Sequence, residues 1–443
     1  MKKLLTITAL GTMIAVSQAN ASGFLLREQS IAGMGNAFAG ATAGAEDASY
    51  SFYNPAAIIR QQDQVSFNAT AIVGHVKGEG AVAKGPSANI PGRGNFQGSE
   101  SYSSKMNHPV NKIILPSVAA TKAIDSRNSI GITLSAPFGL VTEYSPMWAG
   151  ANHGTLSELS VYNLTAMYAH RLTCDLTVAG GIAAQYVDAT LKNGVMHGAP
   201  NVVLAGPYNP ATLTSNATLS GNATDVGYVI GALYEYTADT RFGIAYRSKI
   251  NHKLNGKISF ASNSLLMDMK NLVNQSITAK LTTPALLTLG VYHDINSKWA
   301  VMAEAQKTYW SSFDDLTIKG EYSNTPLSVT DEKWKDVWFY SIGASYQAND
   351  QWKLRFGIAF DQTPVNRYNR TPRIPDSDRY WISTGAEYKY NDKLTINAGY
   401  SYIRAEHSSV NLTGMGNDAT RGELYARYKG NIHLFGLGFV YNF

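Results

Sequence analysis

From Gln64 to Phe443 the chain alternates apolar and polar residues with a period of two. Trp352, Leu354, Phe356, Ile358 and Phe360 interleave with Lys353, Arg355, Gly357, Ala359 and Asp361, which gives a strand one apolar and one polar face. Segments of this kind are predicted at 64–75, 111–124, 127–138, 156–172, 175–193, 224–237, 240–259, 277–295, 298–321, 327–348, 351–363, 379–390, 393–407 and 425–443. That is about fourteen strands, an even number, as bacterial outer-membrane barrels have. Near-minimal hairpin turns are expected at Asp125-Ser126, Thr173-Cys174, Ala238-Asp239, Asn296-Ser297, Asn349-Asp350 and Asn391-Asp392. Longer connections, at 76–110, 194–223, 260–276, 322–326, 364–378 and 408–424, alternate with them. Short turns at one end and long loops at the other describe an all-β, transmembrane antiparallel β-barrel. The last strand carries Phe435, Leu437, Phe439, Tyr441 and Phe443 on one face, as expected of the strand that closes such a cylinder.

The stretch from Ser22 to Ile59 breaks the pattern. It is rich in Gly and Ala, poor in charge and has no alternation. Small residues allow backbone to approach backbone closely, so this segment is expected to coil inside the barrel lumen as an N-terminal plug, or hatch. Before it, Lys2 and Lys3, the apolar run from Leu4 to Val16, and Ala19-Asn20-Ala21 read in order as a secretion leader. The expected division is a signal peptide at 1–21, a hatch at 22–63 and a barrel at 64–443.

Composition narrows the function. Loss of the leader removes two of the 37 basic residues and none of the 32 acidic ones, so the charge becomes 35 minus 32, or +3. A chain so near neutrality offers no nucleic-acid surface. Cys174 is alone, so no intramolecular disulfide forms. No run of about eighteen apolar residues is present for a membrane helix, whereas 26 tyrosines and 16% charged residues suit the aromatic girdles of a membrane barrel. Nine scattered histidines give no metal spacing, and no nucleophile, zinc or phosphate-loop motif appears in a suitable setting. No enzyme activity, metal or cofactor is expected.

Several segments resemble the FadL family of outer-membrane transporters over essentially the full length after the leader. They are Ser22-Gly23-Phe24, Asn54-Pro55-Ala56, FGIAFDQTPV from Phe356 to Val365, and IPDSDRYWIS from Ile374 to Ser383. The resemblance implies a fourteen-stranded barrel, a hatch ending near Asn54-Pro55-Ala56, ligand sites in the upper half, and lateral release into the bilayer. On the residues alone, Asn54-Pro55 also reads as an ordinary turn. The expected function is passive uptake of long-chain fatty acids across a Gram-negative outer membrane by a monomer. The expected partners are those ligands or other hydrophobic small molecules, outer-membrane lipid and lipopolysaccharide, and the barrel assembly machinery. The alternatives are uptake of aromatic hydrocarbons on the same fold, a general diffusion porin, and a barrel hydrolase.

Candidate residues follow. A buried carboxylate needs a cation, and Lys335, Arg379 and Lys192 are candidates, with Phe24 reaching the pocket as the family's mature N-terminus does. On one predicted helical face, Leu265, Leu266, Met269, Leu272 and Val273 form an apolar patch in the 260–276 loop, near Val203 and Leu204. The resemblance makes these a capture groove; the alternative is a helix packed on the rim. Pro137, Phe138 and Gly139 near the top of the third strand are expected to kink it into a lateral opening, Pro137 standing opposite Ile114; the alternative is that Pro137 ends the strand.

Overall fold

The computed structural model describes residues 22–84, 88–90, 94–96, 100–106, 112–196, 214–261, 274–322, 324–419 and 421–443. The predicted leader, the 265–273 patch, and Val203 with Leu204 lie outside these residues.

Fourteen antiparallel strands close into a barrel. They are β1 (Gln64–Lys84), β2 (Glu100–Met106, then Lys112–Ala123), β3 (Asn128–Glu143), β4 (Leu156–Arg171), β5 (Leu176–Met196) and β6 (Thr214–Glu235). Next come β7 (Thr240–Arg247, then Ile250–Ala261), β8 (Gln275–Thr283, then Leu286–Asp294), β9 (Trp299–Thr308, then Asp315–Gly320) and β10 (Pro326–Asp331, then Val337–Gln347). The last four are β11 (Trp352–Asp361), β12 (Arg379–Lys389), β13 (Leu394–Thr413) and β14 (Glu423–Asn442). Closure is made by β14 on β1, from Gln64↔Asn442 up the wall to Lys84↔Glu423, so the ring leaves no free edge there.

The alternation sorts side chains as expected. Phe356, Ile358, Phe435 and Leu437 face outward and are exposed, whereas Arg355 and Asp361 are buried inside. Strands run past their predicted ends at the long-loop side: β6 begins at Thr214, ten residues before the alternation does, and β13 runs on to Thr413. Above the membrane both faces of a strand are polar, so the apolar signal disappears while the backbone ladder continues.

The short turns are one residue wider on each side than a two-residue hairpin. In the first, Ile124 N–H donates to Asn128 O at 2.8 Å, enclosing Ile124–Arg127. One side chain repeats the same task in each: Asp125, Thr173, Thr237, Asn296, Asn349 and Asn391 accept from backbone N–H groups two residues on. This is the Asx or hydroxyl turn that favours Asp, Asn and Thr, and it moves the third turn's key residue from Ala238 to Thr237.

Residues 22–63 pack against the inward faces of strands on every side. Ile31–Gly35 lies on β12 and β13, Ala41–Gly44 on β7 and β8, and Pro55–Arg60 on β4, β5 and β6. The wall offers glycines where this hatch comes closest. A Cβ on Gly357 would stand 2.2 Å from the Asn36 backbone, and one on Gly243 would stand 2.1 Å from Thr42 O. The hatch is also held by charge: Glu46 meets Arg355 at 2.7 Å and Lys353 at 3.2 Å, and Arg355 also bonds Glu387.

Candidate functional site

Asn54 anchors the middle of the hatch. Its side-chain oxygen accepts from Ala56 N–H at 2.9 Å and caps the turn of 3-10 helix Pro55–Arg60. Its amide donates to Thr42 O at 2.8 Å and to Ala232 O of β6 at 3.0 Å. The Asn54-Pro55 pair fits against Gly231, where a Cβ would come within 2.1 Å of the Asn54 side-chain oxygen. This is more than a turn signal: every polar atom of one buried amide is used.

The start of the hatch sits in an aromatic cage. The Phe24 ring lies 4.6 Å from Trp310, 5.6 Å from Phe313, 5.6 Å from Trp334 and 6.0 Å from Phe138, mostly edge to face. Gly23 takes φ +64°, and a Cβ there would meet Trp334 at 2.4 Å, so only glycine admits this bend. Below, two buried acids and two buried arginines hold the backbone. Ser22 N–H donates to Asp361 at 3.3 Å and Gly23 N–H to Asp376 at 2.9 Å. Arg27 pairs with Asp361 at 3.2 Å, and Arg379 pairs with Asp376 and lies 3.8 Å from Asp361.

Above Phe24 lies an apolar cavity of about 100 Å³. A water needs roughly 10–15 Å³ on this measure, so the space holds a segment several methylenes long. Its walls are Leu140, Leu159, Leu191, Leu219, Leu254 and Leu281 from β3 to β8. Its charged lining residues are Arg373, Glu332 and the half-buried Glu158. Arg373 comes from the 362–378 loop, donates through Nη1 to Leu156 O and to Ser157 Oγ at 2.9 Å, and burial lowers its pKa to about 9. It stays cationic at neutral pH. Glu332, in the extracellular break of β10, is pushed up to about 7 by burial, against the opposing pull of its bond from Trp334 Nε1 at 2.9 Å. A single guanidinium beside an apolar cavity suits a ligand with one anionic head and a greasy tail.

The wall opens beside this cavity. Pairing of β2 with β3 runs only from Ala123↔Ser129 to Val118↔Leu134. The wider turn shifts this register by one residue, so its extension would set Leu115, not Ile114, opposite Pro137. The ladder stops before that. Pro137 does not end β3 either: β3 continues to Glu143 against β4, with a bulge between Ser135 and Phe138. The hatch occupies the vacant edge. Leu25 bridges Phe138, and Gly139 N–H donates to Phe24 O at 2.9 Å. The Gln29 amide donates to Ala136 O at 2.9 Å.

The other candidate cations are elsewhere. Lys335 and Lys192 are exposed and do not line the cavity; Lys192 contributes only its carbonyl, 3.5 Å from Arg373 Nη2. Arg379 is buried, but it serves the acid cluster beneath Phe24. The sequence does not single out Arg373, because its loop also holds Arg367 and Arg370, and only its place in the cavity lining distinguishes it.

The profile described as outer membrane protein transport protein (OMPP1/FadL/TodX) matches residues 12–443. A long-chain fatty acid transport protein of Salmonella typhi is 30% identical over 464 residues, covering 100% of this chain and 99% of that one. The 47 kDa outer membrane protein of Pasteurella multocida is 27% identical, covering 99% and 98%. Among solved structures, a Pseudomonas aeruginosa FadL homologue has a TM-score of 0.80 at 23% identity, covering 95% of this chain and 99% of that one. The Ralstonia pickettii toluene transporter TbuX has a TM-score of 0.60 at 18% identity, covering 93% and 97%. Both share the fold.

Proposed function

This chain belongs to the OMPP1/FadL/TodX outer membrane protein transport family, and on that premise we propose that it carries long-chain fatty acids passively into the cell. The ligand collects on the loops holding Leu265, Leu266, Met269, Leu272, Val273, Val203 and Leu204. It then enters the apolar cavity, where each buried methylene contributes about 0.8 kcal/mol and Arg373 takes the carboxylate. Displacing Phe24 from its cage frees the backbone from Phe24 to Leu26 off β3, and the chain leaves sideways between β2 and β3 at Pro137, Phe138 and Gly139. No nucleotide drives the step; the gradient does.

The observation that supports this reading is a cavity whose apolar lining includes Phe24 and whose one basic lining residue is Arg373. Uptake of aromatic hydrocarbons is the second reading, favoured by the aromatic cage around Phe24 and by the likeness to a toluene transporter. A neutral hydrocarbon leaves Arg373 without an anion. Growth on oleate and on toluene as sole carbon source, with the gene intact, deleted and carrying Arg373→Ala, separates them. The fatty-acid reading fails if deletion leaves growth on oleate unchanged.

A further inference from the structure

The outer face of β7, β8 and β9 above the membrane carries an array of lysines that make no ion pair among the described residues. Lys249 sits in the break of β7, Lys253 and Lys257 follow it at every fourth position on the strand, Lys280 lies on β8 and Lys319 on β9, and all five are exposed. Lys253 stands directly opposite Lys280 in the ladder, and Lys319 stands opposite Thr278. Cβ atoms of directly opposed residues are about 4.5–5.5 Å apart, and like charges there destabilise a sheet. Among the described residues, the ion pairs made by lysines fall on Lys122, Lys307, Lys353, Lys389 and Lys429, not on these five.

The rest of the wall handles charge differently. On β1 and β14, Lys77 also faces Lys429, but there Glu79 bonds Lys429 at 2.7 Å. Near the lysine array, Asp315 is engaged by Thr317, Asp188 is separated from β7 by Asn222 of β6, and the exposed Glu321, two residues from Lys319, makes no ion pair among the described residues. Asn251, Asn255, Thr278 and Thr282 fill the positions between the lysines with hydrogen-bonding groups.

Height identifies the counter-charge. The rings of Tyr228 and Tyr246, 6.1 Å apart, belong to the upper aromatic girdle on β6 and β7. With a rise of about 3.3 Å per residue and a tilt of about 40°, Lys249 stands roughly 8 Å and Lys253 roughly 18 Å above Tyr246. That is the headgroup and inner-sugar layer of the outer leaflet, not the hydrocarbon.

We infer that Lys249, Lys253, Lys257, Lys280 and Lys319 bind the phosphorylated, acidic sugar head of an outer-leaflet glycolipid, lipopolysaccharide. The inference rests on the outer-membrane location and not on the transported ligand.

The test is native mass spectrometry of the purified full chain in detergent, titrated separately with deep-rough lipopolysaccharide, its dephosphorylated form, phosphatidylglycerol and inorganic phosphate. Each lysine near an anionic membrane surface is worth roughly fivefold in affinity. The combined variant Lys253→Gln, Lys257→Gln, Lys280→Gln, Lys319→Gln is therefore expected to weaken lipopolysaccharide binding by at least tenfold, as is dephosphorylation. Lys77→Gln with Lys429→Gln should not. Heat-shifted migration on gels verifies that each variant is a folded barrel, and oleate binding should be unchanged. The proposal is overturned if the four-lysine variant retains lipopolysaccharide as the parent does. It is overturned equally if phosphatidylglycerol or inorganic phosphate binds as tightly with the same lysine dependence, because the patch would then select charge and not a glycolipid.

Discussion

Leu25 of the hatch pairs with Phe138 of β3 as one rung of an antiparallel sheet, flanked by Leu26 N–H to Pro137 O at 2.8 Å and Gly139 N–H to Phe24 O at 2.9 Å. The hatch thus takes the place that β2 leaves empty. Flanking bonds on both sides make this the close, non-hydrogen-bonded type of pair, with Cα atoms about 4.5 Å apart, inside the range a disulfide spans. In a Cys174→Ser background, Leu25→Cys with Phe138→Cys is expected to oxidise readily and to stop oleate uptake, with recovery on adding a reductant. Uptake at the parental rate by the fully oxidised protein would show that this rung need not break.

Arg373 is the cavity's cation. Hydrogen bonds to charged groups are worth about 1.5–3 kcal/mol, so Arg373→Ala is expected to weaken oleate binding roughly 10- to 150-fold, measured by calorimetry in detergent. Arg373→Lys keeps the charge but loses the fork and should fall between. Lys335→Ala and Lys192→Ala should bind as the parent does. If Lys335→Ala costs more than Arg373→Ala, the assignment is reversed.

Glu332 gives the cavity a pH dependence. Burial raises its pKa to about 7 from an ordinary value of 4.5. A raised folded-state pKa gives stability that is complete below the unfolded value and is lost as pH rises through the folded one. Stability should therefore decline between about pH 4.5 and 7. Ionised Glu332 also offsets Arg373, so affinity for hexadecyl sulfonate, whose head stays charged throughout, is expected to drop between pH 5.5 and 8.5. Glu332→Gln should flatten that profile. A parent profile already flat refutes the coupling.

Asn54 and Gly357 fix the hatch. Asn54→Ala removes a cap and the two hydrogen bonds its amide donates to Thr42 O and Ala232 O, at about 0.5–1.5 kcal/mol for each bond lost. Gly357→Ala drives a Cβ into the Asn36 backbone. Both are expected to speed amide exchange across residues 22–63 while β13 and β14 stay protected. Uniform loss of protection through the barrel would instead mean that hatch and wall unfold together.

The period-two pattern determined by itself that this chain is a barrel, which strands build it, and which side chains face lipid. A half-buried strand must repeat every second residue whatever surrounds it, so Phe356 and Arg355 could be assigned without coordinates. The Gly- and Ala-rich composition of 22–59 marked the hatch because close backbone approach needs small residues. Tertiary structure alone decided where β2 and β3 part, because a ladder depends on the register between strands and not on either one. It also decided that Arg373, among several arginines in its loop, is the one beside the cavity. Lys335 and Arg373 are equally basic as letters; burial, set by residues far away in sequence, is what makes one of them seek an anion.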